Sequence, residues 1–199
     1  MALTAAWALY QWEKKPSWQR LTLSGILFGI ALMIKFSAGL LLPAMLAEMF
    51  LATRVGSDRP RLFLRSLAIW LAGVTGTAGA LAAMFGVGGL SLLIGTHVVV
   101  QEIPGLARPG DFPFPTTFFA FHADGYLCCA AGLWLVYSRR LWPTAAFPLL
   151  LLATAAAAHV WHRPWWIYYY LHLAIPVAWL SSIFVSLTEL NSTLRRVSS

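Results

Sequence analysis

The stretch LSGILFGIALMIKFSAGLLLP, residues 23–43, decides how the chain is threaded. Two apolar segments, residues 21–34 and 36–52, meet at the single charged residue Lys35. Basic residues stand just before the first segment and just after the second, as expected of two loops on the same side of a membrane. Two spans are needed to return to that side, so the pattern predicts a hairpin of two short helices with Lys35 at its turn.

The composition extends this interpretation to the whole chain. Of 199 residues, 59% are apolar and only 11% are charged, with a mean hydropathy of +0.71; soluble domains carry roughly 25% charged residues. Helices or closed barrels are the structures that satisfy the backbone in lipid, and no alternating pattern indicates strands. We therefore predict an all-α, polytopic transmembrane helix bundle that forms a single domain over residues 1–199.

The apolar segments predict six full spans and one partial span. After the hairpin come four further spans at about residues 67–85, 125–137, 143–160 and 167–187. Residues 1–12 reach only ~18 Å as a helix, short of the ~30 Å hydrocarbon core. They are expected to be the inner end of a seventh span, in a chain truncated at its N-terminus.

The net charge of +7 is spread over four groups between or beyond the spans, which predicts topology rather than a nucleic-acid partner. These loops and the C-terminus are expected in the cytoplasm of a multi-pass inner-membrane protein. Glu48, near the inner end of its span, is expected to be solvated or paired with an arginine. The groups are Lys14, Lys15 and Arg20; Arg54, Arg59, Arg61 and Arg65; Arg139 and Arg140; and Arg195 and Arg196.

A long outer loop is predicted at about residues 86–124, because several prolines interrupt any long helix there. It brings four candidate polar residues to the outer side: Glu102, Asp111, His122 and Asp124. Two adjacent cysteines, Cys128 and Cys129, fall in the next span and are assigned to packing. Small residues suited to close helix contact occur at Gly25, Gly29, Gly73, Gly76 and Gly79.

A second polar group lies at the start of the last span. Its tryptophans and consecutive tyrosines are typical of an interfacial aromatic belt. Arg163 beside His162 suits an anionic headgroup or a phosphate, and His172 lies four residues after Tyr168 on one helix face. Lys35 would lie near the same surface. Its position there is explained equally well by a functional role and by snorkelling of its ammonium group to the membrane interface. No metal site is convincing.

Two of these stretches resemble the GT-C glycosyltransferases. Residues 23–43 resemble their small–glycine–hydrophobic–lysine–aromatic–proline hairpin, and HRPWWIYYYLHLAIPVAWLSS, residues 162–182, resembles their later His/Tyr/Pro segment. The closest groups are the protein O-mannosyltransferases and the aminoarabinose transferases that modify lipid A. Order and orientation of the two motifs agree, and the resemblance covers most of the chain.

The resemblance implies transfer of a sugar from a polyprenyl-phosphate carrier to a lipid, glycan or protein acceptor on the outer face of the membrane. Lys35, His162 and Arg163 would bind the donor phosphate, and Tyr168 and His172 would line the cavity. The three acids of the outer loop, Glu102, Asp111 and Asp124, would make acceptor or lid contacts. Some members of the superfamily also use a divalent metal, which nothing in this sequence demands.

One feature departs from the family pattern. The acidic catalytic motif of the family lies in the first outer loop. In this chain, no acid before Lys35 is predicted to lie outside. The chain is therefore expected to be the C-terminal part of such an enzyme, without an assigned catalytic residue and open to being inactive alone. The alternative is a non-catalytic membrane module, or a transporter piece, that binds a lipid headgroup with the same outer residues.

Overall fold

The computed structural model describes residues 1–54, 58–98, 122–161 and 170–197. These residues form helices and turns and contain no β-strand, which confirms the all-α prediction. The chain divides into two compact units, residues 1–106 and 107–199; the single transmembrane domain stays a prediction. The helices are α1 (Ala2–Lys14), α2 (Trp18–Ile34), α3 (Leu42–Ala52), α4 (Arg59–Val98), α5 (Ala123–Ser138), α6 (Trp142–Trp161) and α7 (Tyr170–Val197), with a 3₁₀ helix at Phe36–Leu41.

Two segments are long and apolar enough to cross a bilayer. They are Arg59–Gly86 in α4, with 28 residues, and Leu171–Thr188 in α7, with 18 residues. In each, only 17% of the apolar window is buried inside the structure, whereas the core helix of a soluble protein is mostly buried. Shorter apolar helices cover Trp18–Ile34, Ser37–Ala52 and Trp142–Ala158. The count of six full spans and one partial span stays a prediction.

The first unit begins with a hairpin of α1 and α2. Ser17 caps α2 by accepting a hydrogen bond from the backbone N–H of Arg20 at 3.3 Å. The Arg20 guanidinium in turn donates to the carbonyl oxygens of Gln11 at 2.9 Å and Lys15 at 3.3 Å. A cation thus satisfies carbonyl groups at the end of α1, where the helix dipole favours positive charge.

The chain reverses after α2. The helix ends at Ile34, and Lys35 has extended backbone angles (φ −156°, ψ 117°) before the 3₁₀ helix starts. Further along, the carboxyl group of Glu48 in α3 lies near that of Glu13 in α1, and the ring of Phe50 meets Phe63 in α4 edge-on at 5.7 Å. The end of α3 therefore lies beside the end of α1 and the start of α4, away from Lys35, which confirms the predicted reversal at Lys35.

Helices α2 and α4 pack in parallel through glycines. A Cβ added to Gly25 would collide with the Trp70 carbonyl oxygen, and one on Gly29 would lie 2.8 Å from the Val74 carbonyl oxygen. From the other side, a Cβ on Gly73 would lie 2.7 Å from the Thr22 carbonyl oxygen. Because such distances leave no room for a side chain, the backbones touch directly, as the sequence predicted for these three glycines.

A buried polar pair ties the same helices to α1. The Ser24 hydroxyl donates to the Ala5 carbonyl oxygen at 2.8 Å and accepts from the Trp70 indole N–H at 3.3 Å. Ser24 and Trp70 are fully buried, and the Trp70 ring packs on Phe28 with centroids 5.1 Å apart. The core of the first unit thus contains a satisfied hydrogen-bond network.

The second unit has an apolar core. Cys129, Val136, Ala145 and Leu180 form one buried cluster from α5, α6 and α7. Gly132 approaches the Leu180 carbonyl oxygen so closely that a Cβ would collide with it. At the turn between α5 and α6, Arg140 adopts φ 54°, and the N–H of Leu141 donates to the Val136 carbonyl oxygen at 2.9 Å, a left-handed helix ending.

Element boundaries differ from the predicted spans in the middle of the chain. Helix α4 breaks at Gly86, with φ 68° and ψ 176°, and then continues to Val98, so residues 87–98 of the predicted outer loop are helical. Residues 87–98 contain no proline that would interrupt a helix. At the break, Gly86 adopts a positive φ that residues with a side chain rarely adopt. Helix α5 already begins at Ala123, and α7 continues beyond the predicted end at 187 to Val197.

Candidate functional site

Lys35 stands at one end of the first unit. Its side chain is exposed, its backbone N–H closes the last turn of α2 on the Ala31 carbonyl oxygen at 2.9 Å, and its own carbonyl accepts from Ala38 at 3.0 Å. The backbone around the residue is thus fixed by two hydrogen bonds. An exposed ammonium group on a fixed turn can bind a phosphate as a point charge.

The other cations of the first unit lie at its opposite end. Because α3 returns beside α1 and α4 runs parallel with α2, the end of α1, the start of α2, the end of α3 and the start of α4 meet there. About 22 Å of helix rise separates Lys35 from Arg20. The residues at this basic end are Lys14, Lys15, Arg20, Arg54, Arg59, Arg61 and Arg65. Lys35 is thereby set apart from every other cation of that unit's described residues.

His172 belongs to the second unit and lies in the first turn of α7 as the structure describes it. The side chain is half-buried, and its Nδ1 atom is buried. Pro176 is fully buried inside the same helix and has no N–H to donate to the His172 carbonyl. This arrangement suits a residue that lines a cavity; that role stays a prediction.

His122 and Asp124 lie at the start of α5. His122 is the residue before the helix, Asp124 is in its first turn, and both are exposed. The Ser181 hydroxyl donates to the Gly125 carbonyl oxygen at 3.0 Å, which places this first turn beside Ser181. Because about 13 Å of helix rise separates Ser181 from His172, α5 begins well along α7 from that histidine.

The remaining predicted residues lie outside the described residues. They are Glu102, Asp111, His162, Arg163 and Tyr168. Their roles toward the donor phosphate, the cavity and the acceptor stay predictions. Among the described residues, no three potential metal ligands are grouped together, and the divalent metal likewise stays a prediction.

Two features escaped the sequence reasoning. Glu48 is half-buried near Glu13, a like-charged neighbour that the sequence did not indicate, because the reversal at Lys35 brings the C-terminal ends of α1 and α3 together. The Ser24–Trp70 hydrogen bond was also missed; the signal is a small polar residue directly before Gly25, on the face that packs closest. The prediction that Cys129 serves packing is confirmed, since it is buried in the core of the second unit.

Comparison with known proteins gives one match. Residues 1–79 match the model of the dolichyl-phosphate-mannose-protein mannosyltransferase family, a region that holds Lys35 and the glycine contacts between α2 and α4. No curated protein and no solved structure matches the chain. The match does not favour a non-catalytic module or a transporter piece. Together with the apolar helices it supports a membrane protein with transmembrane helices, of the GT-C glycosyltransferase type.

Proposed function

We propose that this chain is part of an enzyme that transfers a sugar from a polyprenyl-phosphate carrier to an acceptor on the outer face of the membrane. The observation that carries the proposal is the family match over residues 1–79, which includes the turn at Lys35. The separation of Lys35 from the basic end supports it. If the basic end faces the cytoplasm, as the positive-inside rule predicts, Lys35 faces the outer side.

In this proposal the cations hold the departing lipid phosphate. A bond forms between the acceptor hydroxyl oxygen and the anomeric carbon, while the bond from that carbon to the phosphate oxygen breaks. Negative charge grows on the phosphate as it leaves, and preorganised cations stabilise it. Lys35, His162 and Arg163 take this role, with Tyr168 and His172 lining the cavity. The acceptor proton goes to a carboxylate base, for which no residue of this chain is assigned.

Donor kinetics of the intact protein test the assignment. We expect Lys35→Ala to lower kcat/KM for a synthetic polyprenyl-phosphate mannose about 10- to 100-fold, the range of a lost hydrogen bond to a charged group, because the lysine acts on the phosphate both when the donor binds and when the phosphate leaves. Arg163→Ala should act in the same direction. The matched control is Arg54→Ala, which removes an exposed cation at the opposite end of the first unit and should leave kcat/KM for the donor unchanged.

Two results would contradict the proposal at different levels. Normal kcat and normal donor KM in Lys35→Ala, with normal membrane insertion, would overturn the phosphate site but not the reaction. Absence of transfer by the intact wild-type protein across polyprenyl-phosphate sugars would overturn the reaction itself and favour the headgroup-binding module.

A further inference from the structure

An apolar groove runs along the first unit beside the glycine contact of α2 and α4. Its volume is about 580 Å³. Trp18 and Ile26 from α2 form one wall, and Ile69, Gly73 and Gly76 from α4 form the other. One charged residue, Arg65, also lines the groove.

The glycines explain why the groove is open. Gly73 lies in direct backbone contact with α2, whereas a Cβ on Gly76 would meet no heavy atom within 4 Å. The floor of the groove is thus bare helix backbone that a slender apolar chain can reach. The sequence prediction treated Gly73 and Gly76 as equivalent helix-packing positions; the structure confirms this role for Gly73 and not for Gly76.

Charge is confined to one end of the groove. Arg65 is exposed, and Trp18, also at this end, is 65% exposed. The end coincides with the basic end of the unit, where the other cations of α1 to α4 are gathered. Basic pockets between transmembrane helices on the cytoplasmic side are suited to anionic lipid headgroups, and tryptophan is enriched at the level of the headgroups.

The dimensions match one leaflet of a bilayer. Eleven residues separate Arg65 from Gly76 along α4, which is about 16 Å of helix rise. Half of the ~30 Å hydrocarbon core is about 15 Å. An acyl chain that starts at Arg65 would therefore follow the groove to the bilayer midplane.

From these observations we propose that the groove binds a phospholipid of the bilayer with an anionic headgroup. The headgroup phosphate pairs with Arg65, and one acyl chain lies along Ile69, Gly73 and Gly76. A helix of a second copy is a poorer occupant, because it would bury Arg65 without a counter-charge. The site is independent of the proposed sugar transfer, since it lies at the end of the unit opposite Lys35.

Lipid binding to the full chain tests the proposal by native mass spectrometry in a neutral detergent. The protein is titrated with phosphatidylglycerol and, separately, with phosphatidylcholine of the same acyl chains. We expect phosphatidylglycerol to bind more tightly. Arg65→Gln should weaken it about fivefold, the value of one cation near an anionic headgroup, and should abolish the preference over phosphatidylcholine. Gly76→Leu fills the groove and should weaken both lipids.

Matched controls separate the groove from general effects. Arg61→Gln removes a cation one turn from Arg65 that does not line the groove, and it should change affinity less than twofold. Gly79→Leu introduces the same side chain at a second position with open space around it, outside the groove, and should bind lipid normally. A thermal unfolding temperature no lower than that of the wild type shows that the fold of each variant is intact.

Three outcomes overturn the proposal. Equal wild-type affinities for the two lipids, or equal losses in Arg61→Gln and Arg65→Gln, would mean that Arg65 selects no headgroup. A polyprenyl phosphate that displaces phosphatidylglycerol from the groove at lower concentration would identify the carrier lipid as occupant. Dimerisation that Gly76→Leu abolishes, with lipid binding unchanged, would identify a second copy instead. None of these readouts depends on sugar transfer.

Discussion

The two units solve one packing problem with different cores. In each, a glycine lets a helix backbone touch a carbonyl oxygen of its neighbour, Gly25 on Trp70 and Gly132 on Leu180. The first unit surrounds this contact with hydrogen bonds through Ser24. The second surrounds it with a cluster of apolar side chains.

The comparison distinguishes two features of helix packing, the distance between two helices and their register along each other. A glycine contact fixes how near two helices come, but apolar side chains tolerate small sliding because their contacts have little directionality. Hydrogen bonds from a fully buried serine fail when the helices slide, and unsatisfied buried polar groups are costly. The first unit, which holds Lys35, is therefore the one whose register is fixed by hydrogen bonds of a fully buried side chain.

The largest effect is expected where a glycine meets backbone. Gly25→Ala and Gly132→Ala should each lower the free energy of unfolding by about 1–3 kcal/mol, the cost of overpacking, because a carbonyl oxygen cannot rotate away. Thermal unfolding of the full chain in detergent measures this. Gly79→Ala is the control: its Cβ meets nothing within 4 Å, so helix propensity predicts a gain of up to about 1 kcal/mol. Similar losses of stability at all three positions would show that contact with a neighbouring backbone does not determine the loss.

An effect of similar or smaller size is expected from the buried serine of the first unit. Ser24→Ala leaves the Trp70 indole N–H buried without its acceptor and should cost about 1–3 kcal/mol. In a Trp70→Phe background that donor is gone, so the same serine change should cost less, with a coupling of at least about 0.5 kcal/mol. Equal costs in both backgrounds would remove the hydrogen bond from the explanation.

The smallest effect is expected from the serine of the second unit. Ser181 is half-buried, and its single hydroxyl proton is divided between the Gly125 carbonyl oxygen at 3.0 Å and the Val177 carbonyl oxygen of its own helix at 2.8 Å. Ser181→Ala should therefore cost less than about 1 kcal/mol in the same unfolding measurement. A cost equal to that of Ser24→Ala would show that both units fix register in the same way.

Much of the fold could be predicted from residue patterns. Long apolar segments predict helices, since a backbone in lipid must satisfy its own hydrogen bonds, and the lone Lys35 between two such segments predicted the reversal. The glycine pattern was less informative: Gly73 contacts α2, but Gly76 and Gly79 do not. All three recur at a helical spacing, and which of them a neighbour reaches depends on where the two helices cross.

Less of the candidate site could be predicted. Sequence placed Lys35 at a turn, and the structure agrees, because a charged residue between two apolar segments has few alternatives. It could not foresee that Glu48 meets Glu13, since residues 35 positions apart meet only through the reversal. The roles of His162, Arg163, Tyr168 and His172 stay predictions.

The sequence by itself determined the helical class, the membrane composition, the reversal at Lys35 and the gathering of basic residues between spans, because each follows from local hydrophobicity and charge. Only the tertiary structure decided which glycines touch a neighbour, that Ser24 and Trp70 share a hydrogen bond, and that Arg65 ends an apolar groove. These features depend on the relative position of helices, which is set by the sum of many contacts between distant parts of the chain.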